Sequence, residues 1–361
     1  MILPEDIDHL LHKVRVFTKT IRLFYPLNIE NEKQRFFGKR SYNPVFSYPA
    51  LPHQKIKKYS ERLSQTNINN VYSPEDKIRK RKLNETRLKL NLIANRGSPG
   101  ILNISKKLYR IKLDKKSLNS ALIDSKTKNS FKKQENLCAY KTARQFQKNL
   151  HSMNIDNWKT VVSNRRDFYF QVRYKKLLIR ISRDLCWDYG GLDSIIAHEI
   201  DGHVIRSVNA LRQKSKLFQE PLPFYIKTEE GLATYLSGYC SKNSALARKH
   251  HAIKYLACVF AQKNSFRETY NFLIDHGFTN NLAFQRTVRI KRGFEDTSLP
   301  GFFAREATYY EGMLEVKNYL ENKGDIRKLY AGKIGLDDIN ITSLPDNQII
   351  PARIQKSPFS D

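Results

Sequence analysis

His198-Glu199-Ile200-Asp201-Gly202-His203 decides how the rest of this chain is read. The hexapeptide places two imidazoles and a carboxylate in a segment of helical pattern. Ile195, Ile196 and Ala197 lead in, and Val204, Ile205 and Val208 follow on the apolar side. Neutral imidazoles suit zinc, and a carboxylate beside the first histidine stands where a metal-activated water needs a proton acceptor. In the common zincin motif the histidines lie four residues apart on one helical face. Here they lie five apart. At about 100° per residue, that step leaves the second ring roughly 140° from the first, too far round a regular helix for both to reach one ion. A single wide i→i+5 turn restores a common side. The spacing therefore predicts a π-type bulge across residues 200–203, with Gly202 easing it because it lacks a Cβ. The competing reading is a surface helix that carries two histidines by chance.

A catalytic zinc site needs a third protein ligand, and two histidines with a glutamate form one of the known sets. Thr228-Glu229-Glu230-Gly231-Leu232-Ala233-Thr234-Tyr235-Leu236 has an acidic first turn and then apolar spacing, the pattern of a second helix. Adjacent residues point about 100° apart on a helix, so only one of Glu229 and Glu230 can face the metal. The other is expected to stabilise the helix N-terminus through its dipole.

Length and composition allow a globular protein with a sizeable core: 361 residues, 40% apolar and 27% charged. No run of eighteen apolar residues exists, which argues against a membrane span. Met1-Ile2-Leu3-Pro4-Glu5-Asp6 is acidic and lacks a signal-peptide core. Cys138, Cys186, Cys240 and Cys258 are scattered without a C-x-x-C pair, as expected for reduced thiols in a cytoplasmic protein. The net charge of +29 is uneven. Residues 1–193 hold 41 Lys and Arg against 17 Asp and Glu, whereas residues 194–361 hold 23 against 18. A surface so basic upstream of the motif attracts polyanions, whether nucleic acid, anionic lipid or an acidic polypeptide. No zinc-finger, RRM or KH pattern accompanies it, and aromatics are not interleaved with the basic runs, so nucleic-acid binding is not favoured.

The patterning divides the chain into a basic, mainly helical N-terminal region, 1–156, and a catalytic domain, 157–361. Ile7, Leu10, Leu11, Val14, Val16, Phe17 and Ile21 begin with helical spacing. Residues 37–54 are irregular, carrying Pro44, Pro49 and Pro52. Helical segments from about 75 to 150 are broken at Arg96-Gly97-Ser98-Pro99-Gly100. After Trp158, residues 168–173 and 177–181 are rich in β-formers and flank Tyr174-Lys175-Lys176, the pattern of a hairpin. The expected class is α+β, mostly helical, with a small antiparallel sheet beside the metal-motif helix. Metalloproteases use such a sheet to hold an extended peptide by strand addition.

Several ordered stretches resemble one family. They are residues 198–210, then Glu229-Glu230-Gly231-Leu232-Ala233, residues 283–293, Asp296-Thr297-Ser298-Leu299-Pro300-Gly301, Tyr309-Tyr310-Glu311-Gly312 and, near the N-terminus, Asn43-Pro44-Val45-Phe46-Ser47-Tyr48. Together they are similar to the HExxxH metallopeptidases that include the microtubule-associated tyrosine carboxypeptidases and bacterial relatives with a Q-E-G-L-A motif. The resemblance is strong over about 157–345 and thinner from about 40 to 156. It implies a zincin-like, gluzincin-type fold, with one Zn2+ on His198, His203 and Glu230, the glutamate of E-G-L-A. Glu229 stands where relatives often have Gln. Glu199 is implied as the general base on the zinc-bound water. The implied reaction removes a C-terminal residue, tyrosine in the tubulin-directed members. Arg305-Glu306 stands where Lys-Asp is usual.

A carboxypeptidase also needs a cation for the substrate's α-carboxylate; Arg289, Lys291 and Arg292 are the candidates, each also readable as part of a solvated basic loop. Tyr309 or Tyr310 is the candidate donor to the tetrahedral oxyanion, with an ordinary core place expected for at least one. Arg206 and Asn209 are expected to orient ligands or pack the helix. His250 and His251 lack ligand-like company and are expected to be solvent-facing or structural. The leading reading is a carboxypeptidase acting on a flexible, acidic protein tail, docked by the basic half. Two alternatives remain: an aminopeptidase or dipeptidyl peptidase with the same motif, and a non-catalytic polyanion-binding protein.

Overall fold

The computed structural model describes residues 4–18, 23–68, 71–128, 138–165, 168–185 and 191–355. Met1, Ile2, Leu3, Ile21 and Cys186, all used above, lie outside them. In chain order the first helices are α1 (Pro4–Phe17), α2 (Ile29–Gly38), α3 (His53–Gln65), α4 (Pro74–Ala94), α5 (Ile101–Tyr109), α6 (Lys115–Ser125) and α7 (Ala139–Ser152). Strands β1 (Lys159–Ser163), β2 (Phe170–Arg173) and β3 (Leu178–Ser182) follow. Then come α8 (Gly191–Ile196), a π-helical segment (Ala197–Val204), α9 (Ile205–Leu211), α10 (Ile226–Tyr239), α11 (Ser244–Ala261), α12 (Phe266–Asp275) and α13 (Asn280–Ile290). Last are α14 (Thr308–Glu321), α15 (Ile326–Leu329) and α16 (Ala352–Gln355). Helices dominate beside one small sheet, so the α+β class holds. Among the described residues no helix is long and apolar enough to cross a membrane. Cys138, Cys240 and Cys258 are free thiols.

Local chemistry accounts for several boundaries. At the start of α4, Ser73 and Asp76 form a reciprocal capping box, with Pro74 in the first turn. Ser265 and Glu268 do the same for α12. Between α4 and α5, Gly97 has φ +88°, a backbone conformation that strains residues bearing a Cβ.

The sheet differs from the expected antiparallel one. Its strand order is β1-β3-β2. The β2–β3 hairpin is antiparallel as read, turning through Tyr174–Lys176 with Leu177 at φ +47°. However, β1 pairs with β3 in parallel, Lys159 against Leu178 through Ser163 against Ser182, so the sheet is mixed. Lys-Thr-Val-Val-Ser shows only a half-buried face, and nothing local says that its partner lies two strands on.

The chain forms two compact units, each from two segments: unit 1 from Met1–Lys112 and Lys254–Ala307, unit 2 from Leu113–Ile253 and Thr308–Asp361. This division follows packing, whereas the boundary at 156 followed charge and pattern. Unit 1 has an aromatic core in which Phe36 meets Tyr270, Phe266 and Phe284 at centroid distances of 4.8, 5.2 and 5.3 Å. The stretch Asn43–Tyr48 docks on the loop after α13. Phe46 N–H donates to Glu295 O at 2.8 Å, Gly293 N–H to the Tyr48 hydroxyl at 2.9 Å, and Thr297 Oγ1 to Pro44 O at 2.6 Å. These are the same stretches that the sequence marked.

In unit 2 the sheet packs on the π segment through β2 and on α7, where Phe146 stacks on Phe170 at 5.6 Å. Helix α10 lies between the π segment and α14. Its approach to both is set by absent side chains. A Cβ on Gly202 would fall 2.6 Å from Ala233 Cβ, and one on Gly231 would fall 2.3 Å from the Gly312 carbonyl carbon. One on Gly312 would fall 2.1 Å from Lys227 O. Gly202, inside the π segment, thus also admits the close approach of α10. Those blocking atoms are largely backbone and cannot rotate away. Gly231→Ala and Gly312→Ala are each expected to lower stability by about 1–3 kcal/mol, read as a lower urea midpoint; an unchanged midpoint would show that the helices can separate freely.

Candidate metal centre

The wide turn is present. It spans eight residues, Ala197–Val204, more than the expected four, and Ile205 N–H donates to Ile200 O, an i→i+5 bond. The turn brings the histidines together, with ring centroids 5.1 Å apart at 78°. Glu230, on the first half of α10, places Oε2 3.7 Å from His198 Nε2 and 3.6 Å from His203 Nε2. Donor atoms about 2.0–2.2 Å from a tetrahedral zinc lie roughly 3.3–3.5 Å from one another. Glu230 stands close to that spacing from each histidine. One oxygen of Glu199 and a nitrogen of each histidine also lie within 4.8 Å of one another. Glu199 is half-buried where Glu230 is buried. Two imidazoles with the carboxylates of Glu230 and Glu199 beside them form a donor set that fits a divalent ion.

Glu229 is not a surface cap. Its Oε1 lies 3.1 Å from His203 Nδ1, its Oε2 accepts from Arg206 Nη1 at 2.7 Å, and Lys333 Nζ pairs with Oε1. A proton on Nδ1 leaves Nε2 as the lone-pair nitrogen, a carboxylate–histidine arrangement that orients metal ligands. Burial alone would raise the Glu229 carboxyl, but the charges of Lys333 and Arg206, with His203, hold it down at about 2. For His203, burial opposes the charged ring, yet Glu229 and Glu230 push the imidazole up to about 10. Without a metal, the site already attracts positive charge.

Arg206 lies behind His203, joined to it through Glu229, with Nη2 also donating to Ile334 O at 2.6 Å. Asn209 acts one step further out. Its Nδ2 donates to Tyr330 O and Ile349 O, and its Oδ1 accepts from Ile349 N–H, tethering the segment that carries Lys333. Lys333 was not legible in the sequence, being one lysine in a loop. The two candidate tyrosines separate. Tyr310 is buried and donates to Asp124 Oδ2 at 2.7 Å, a core role. Tyr309 stacks on His198 at 6.0 Å and on His251 at 5.7 Å, both at 18°. Of the two places expected for His251, solvent-facing or structural, it takes the buried one: it is 5% exposed and lies parallel to His198 at 6.3 Å. Its one available signal was its place in an apolar helical run.

Arg289, Lys291 and Arg292 belong to unit 1, whereas the histidines belong to unit 2. Lys291 is wholly buried and gives its protons to Asn264 O at 2.5 Å and Leu299 O at 2.8 Å, which pins the loop after α13. Arg289 places both Nε and Nη2 2.9 Å from Glu306 Oε1. Arg292 is buried.

A family model described as microtubule-associated tyrosine carboxypeptidase matches residues 34–351. Among curated proteins, "Microtubule-associated tyrosine carboxypeptidase 1" of Homo sapiens is 29% identical over 153 residues, which is 41% of this chain and 32% of that protein. "Putative tyrosine carboxypeptidase MATCAP2" of Homo sapiens is 31% identical over 154 residues, 41% of this chain and 29% of that protein. The Mus musculus "Microtubule-associated tyrosine carboxypeptidase 1" is 31% identical over 153 residues, with 41% and 32% covered. The matched stretch spans about a third of these relatives' own length.

Two outcomes follow for divalent ions. Ligation requires the neutral His203 ring, so affinity is expected to rise with pH while that ring still titrates, about tenfold per unit below pH 10, with about one proton released at pH 7. Glu229→Gln removes the carboxylate behind His203 and is expected to weaken zinc about 10–100-fold in chelator competition; wild-type affinity in that variant would mean that Glu229 does not position the ring.

Proposed function

Because the chain belongs to the microtubule-associated tyrosine carboxypeptidase family, we propose that it is a zinc-dependent carboxypeptidase. Its substrate would be a flexible, acidic protein tail, from which it removes a C-terminal tyrosine or other aromatic residue. One observation carries this reading: a single Glu230 oxygen lies within 3.7 Å of both histidine Nε2 atoms. His198, His203 and Glu230 would hold one zinc ion, which supplies Lewis-acid polarisation of a carbonyl and acidifies water.

The chain's own residues do the rest. Glu199, next to His198 and half-buried, takes the proton of the attacking water and passes it to the leaving amine. Tyr309, stacked beside His198, offers its hydroxyl to the carbonyl oxygen as negative charge builds there. Glu229, Arg206 and Lys333 hold the His203 ring in register. The edge strand β2, packed on the π segment, offers a backbone to which an extended substrate can add. Motif helix, glutamate on the next long helix and adjoining sheet support a zincin-like arrangement of the gluzincin type. The basic excess in residues 1–193 raises the encounter rate with an acidic tail, and the relatives' link to microtubules supports action in the cytoplasm.

Mass spectrometry of peptides with varied C-terminal residues tests this directly. Loss of one residue from a tyrosine-ended peptide is expected, abolished by C-terminal amidation and by a chelator. Glu199→Gln is expected to reduce the rate about 10²–10⁴-fold while zinc stays bound. Cleavage that survives amidation points to the aminopeptidase alternative, and cleavage that survives the chelator removes the metal from the mechanism.

A further inference from the structure

We propose that Arg353 is a positioning residue for the candidate metal centre, acting through Asp201 on the π segment. The chemical consequence rests on the zinc reading, whereas the brace itself does not. Every group involved lies in unit 2. Arg353 sits on the short α16, two residues past the stretch that the family model matches.

Its guanidinium makes a three-way junction. Nε donates to Asp201 Oδ2 at 2.8 Å. Nη1 and Nη2 reach the two oxygens of Asp193 at 3.1 and 3.0 Å. Nη1 also donates to Cys240 O at 3.2 Å. Asp193 lies on α8, which runs directly into the π segment. Asp201 lies inside that segment, three residues after His198 and two before His203. Cys240 follows the last turn of α10, and Lys242 N–H just beyond it donates to Asp193 Oδ2 at 2.8 Å. One side chain therefore joins both elements that supply the site: the segment bearing the two histidines and the helix bearing Glu230.

A brace works only if its far end is fixed. Pro351 and Ile354, on either side of Arg353, are buried. Upstream, Ile349 N–H donates to Asn209 Oδ1 at 2.9 Å, and Ile349 O accepts from Asn209 Nδ2 at 2.7 Å. Arg212 donates to Asn347 O, and Gln348 Nε2 to Arg327 O at 2.7 Å. The segment is thus tied to α9 before it delivers Arg353. Returning the wide turn to a regular one would swing the residues beyond it about 100° round the helix, carrying His203 away from Glu230. Asp201 would turn as well, and a buried carboxylate parted from its cation is strongly disfavoured. An exposed ion pair would contribute little. This one differs, because the Asp201 side chain is 8% exposed and the guanidinium forks between two carboxylates. Arg353 therefore stabilises the wide turn relative to the regular one.

Hydrogen exchange on the full chain with a chelator present tests the brace without invoking zinc. Arg353→Gln is expected to speed exchange of the amides of residues 197–205 about tenfold or more, with the amides of α4 unchanged. Chelator competition tests the consequence. Zinc is expected to bind that variant about tenfold more weakly, and the spectrum of bound Co2+ to change as the ligand geometry loosens. Asp201→Asn is expected to do the same, and the double variant no more than either alone, since both remove one contact. If Arg353→Gln fails to melt cooperatively, Arg353→Lys keeps the charge, loses the fork and is expected to show both effects in smaller measure. A wild-type chain that binds no zinc would sink the zinc reading and leave the exchange result to decide the brace. Exchange and metal affinity unchanged, exchange that rises equally throughout the chain, or additive effects of the two variants would overturn the proposal.

Discussion

The hydrogen bond from Ile205 N–H to Ile200 O is the constraint on which the candidate metal centre depends. A regular turn there would close one residue earlier and send the two rings to different sides of the helix. The wider turn puts both Nε2 atoms within 3.7 Å of one carboxylate oxygen. A π turn is rarely sustained without help from its surroundings. Here α10 lies directly against it, admitted by the missing side chain of Gly202. The same helix meets α14 across Gly231 and Gly312. Three glycines therefore set the spacing of three helical segments, and Glu230, adjoining Gly231, is held where the two histidines converge.

Charge is distributed by a related logic. In unit 2, Glu199, Glu229 and Glu230 gather near two histidines, with Arg206 and Lys333 compensating from behind. The front of the group is left to attract a cation. In unit 1 the buried carboxylate of Glu306 is compensated by Arg289 at 2.9 Å and, more distantly, by Lys254 at 3.9 Å. Buried ionic groups seldom add stability relative to well-packed apolar residues.

Much of this was legible because it is local. The five-residue histidine spacing called for a wide turn, Ser73 and Ser265 marked helix starts, and Tyr174-Lys175-Lys176 marked a hairpin. The choice between Glu229 and Glu230 was only half legible: adjacency on a helix excludes joint ligation, but a helix-dipole role for Glu229 missed its pairing with Lys333, 104 residues away. Lys291 was misplaced for the same reason, and His251 was left open between solvent and interior. A histidine in an apolar helix and a lysine in a basic run look alike whether they face solvent or the interior. β1 escaped because its parallel partner follows an intervening strand.

The sequence alone determined the chemical alphabet of this protein: a histidine spacing that no regular helix can use, a glutamate pair on a following helix, and a basic excess confined to its first half. Periodicity and capping are properties of neighbours along the chain, so such features survive without coordinates. Only the tertiary structure decided which glutamate faces the histidines and which supports one of them from behind, that Tyr309 and His251 stack at the centre while Tyr310 goes to the core, and that Lys291 is a loop clamp. The first of those outcomes rests on helices meeting closely at Gly202, Gly231 and Gly312, and all of them on contacts between residues far apart in sequence that no local pattern records.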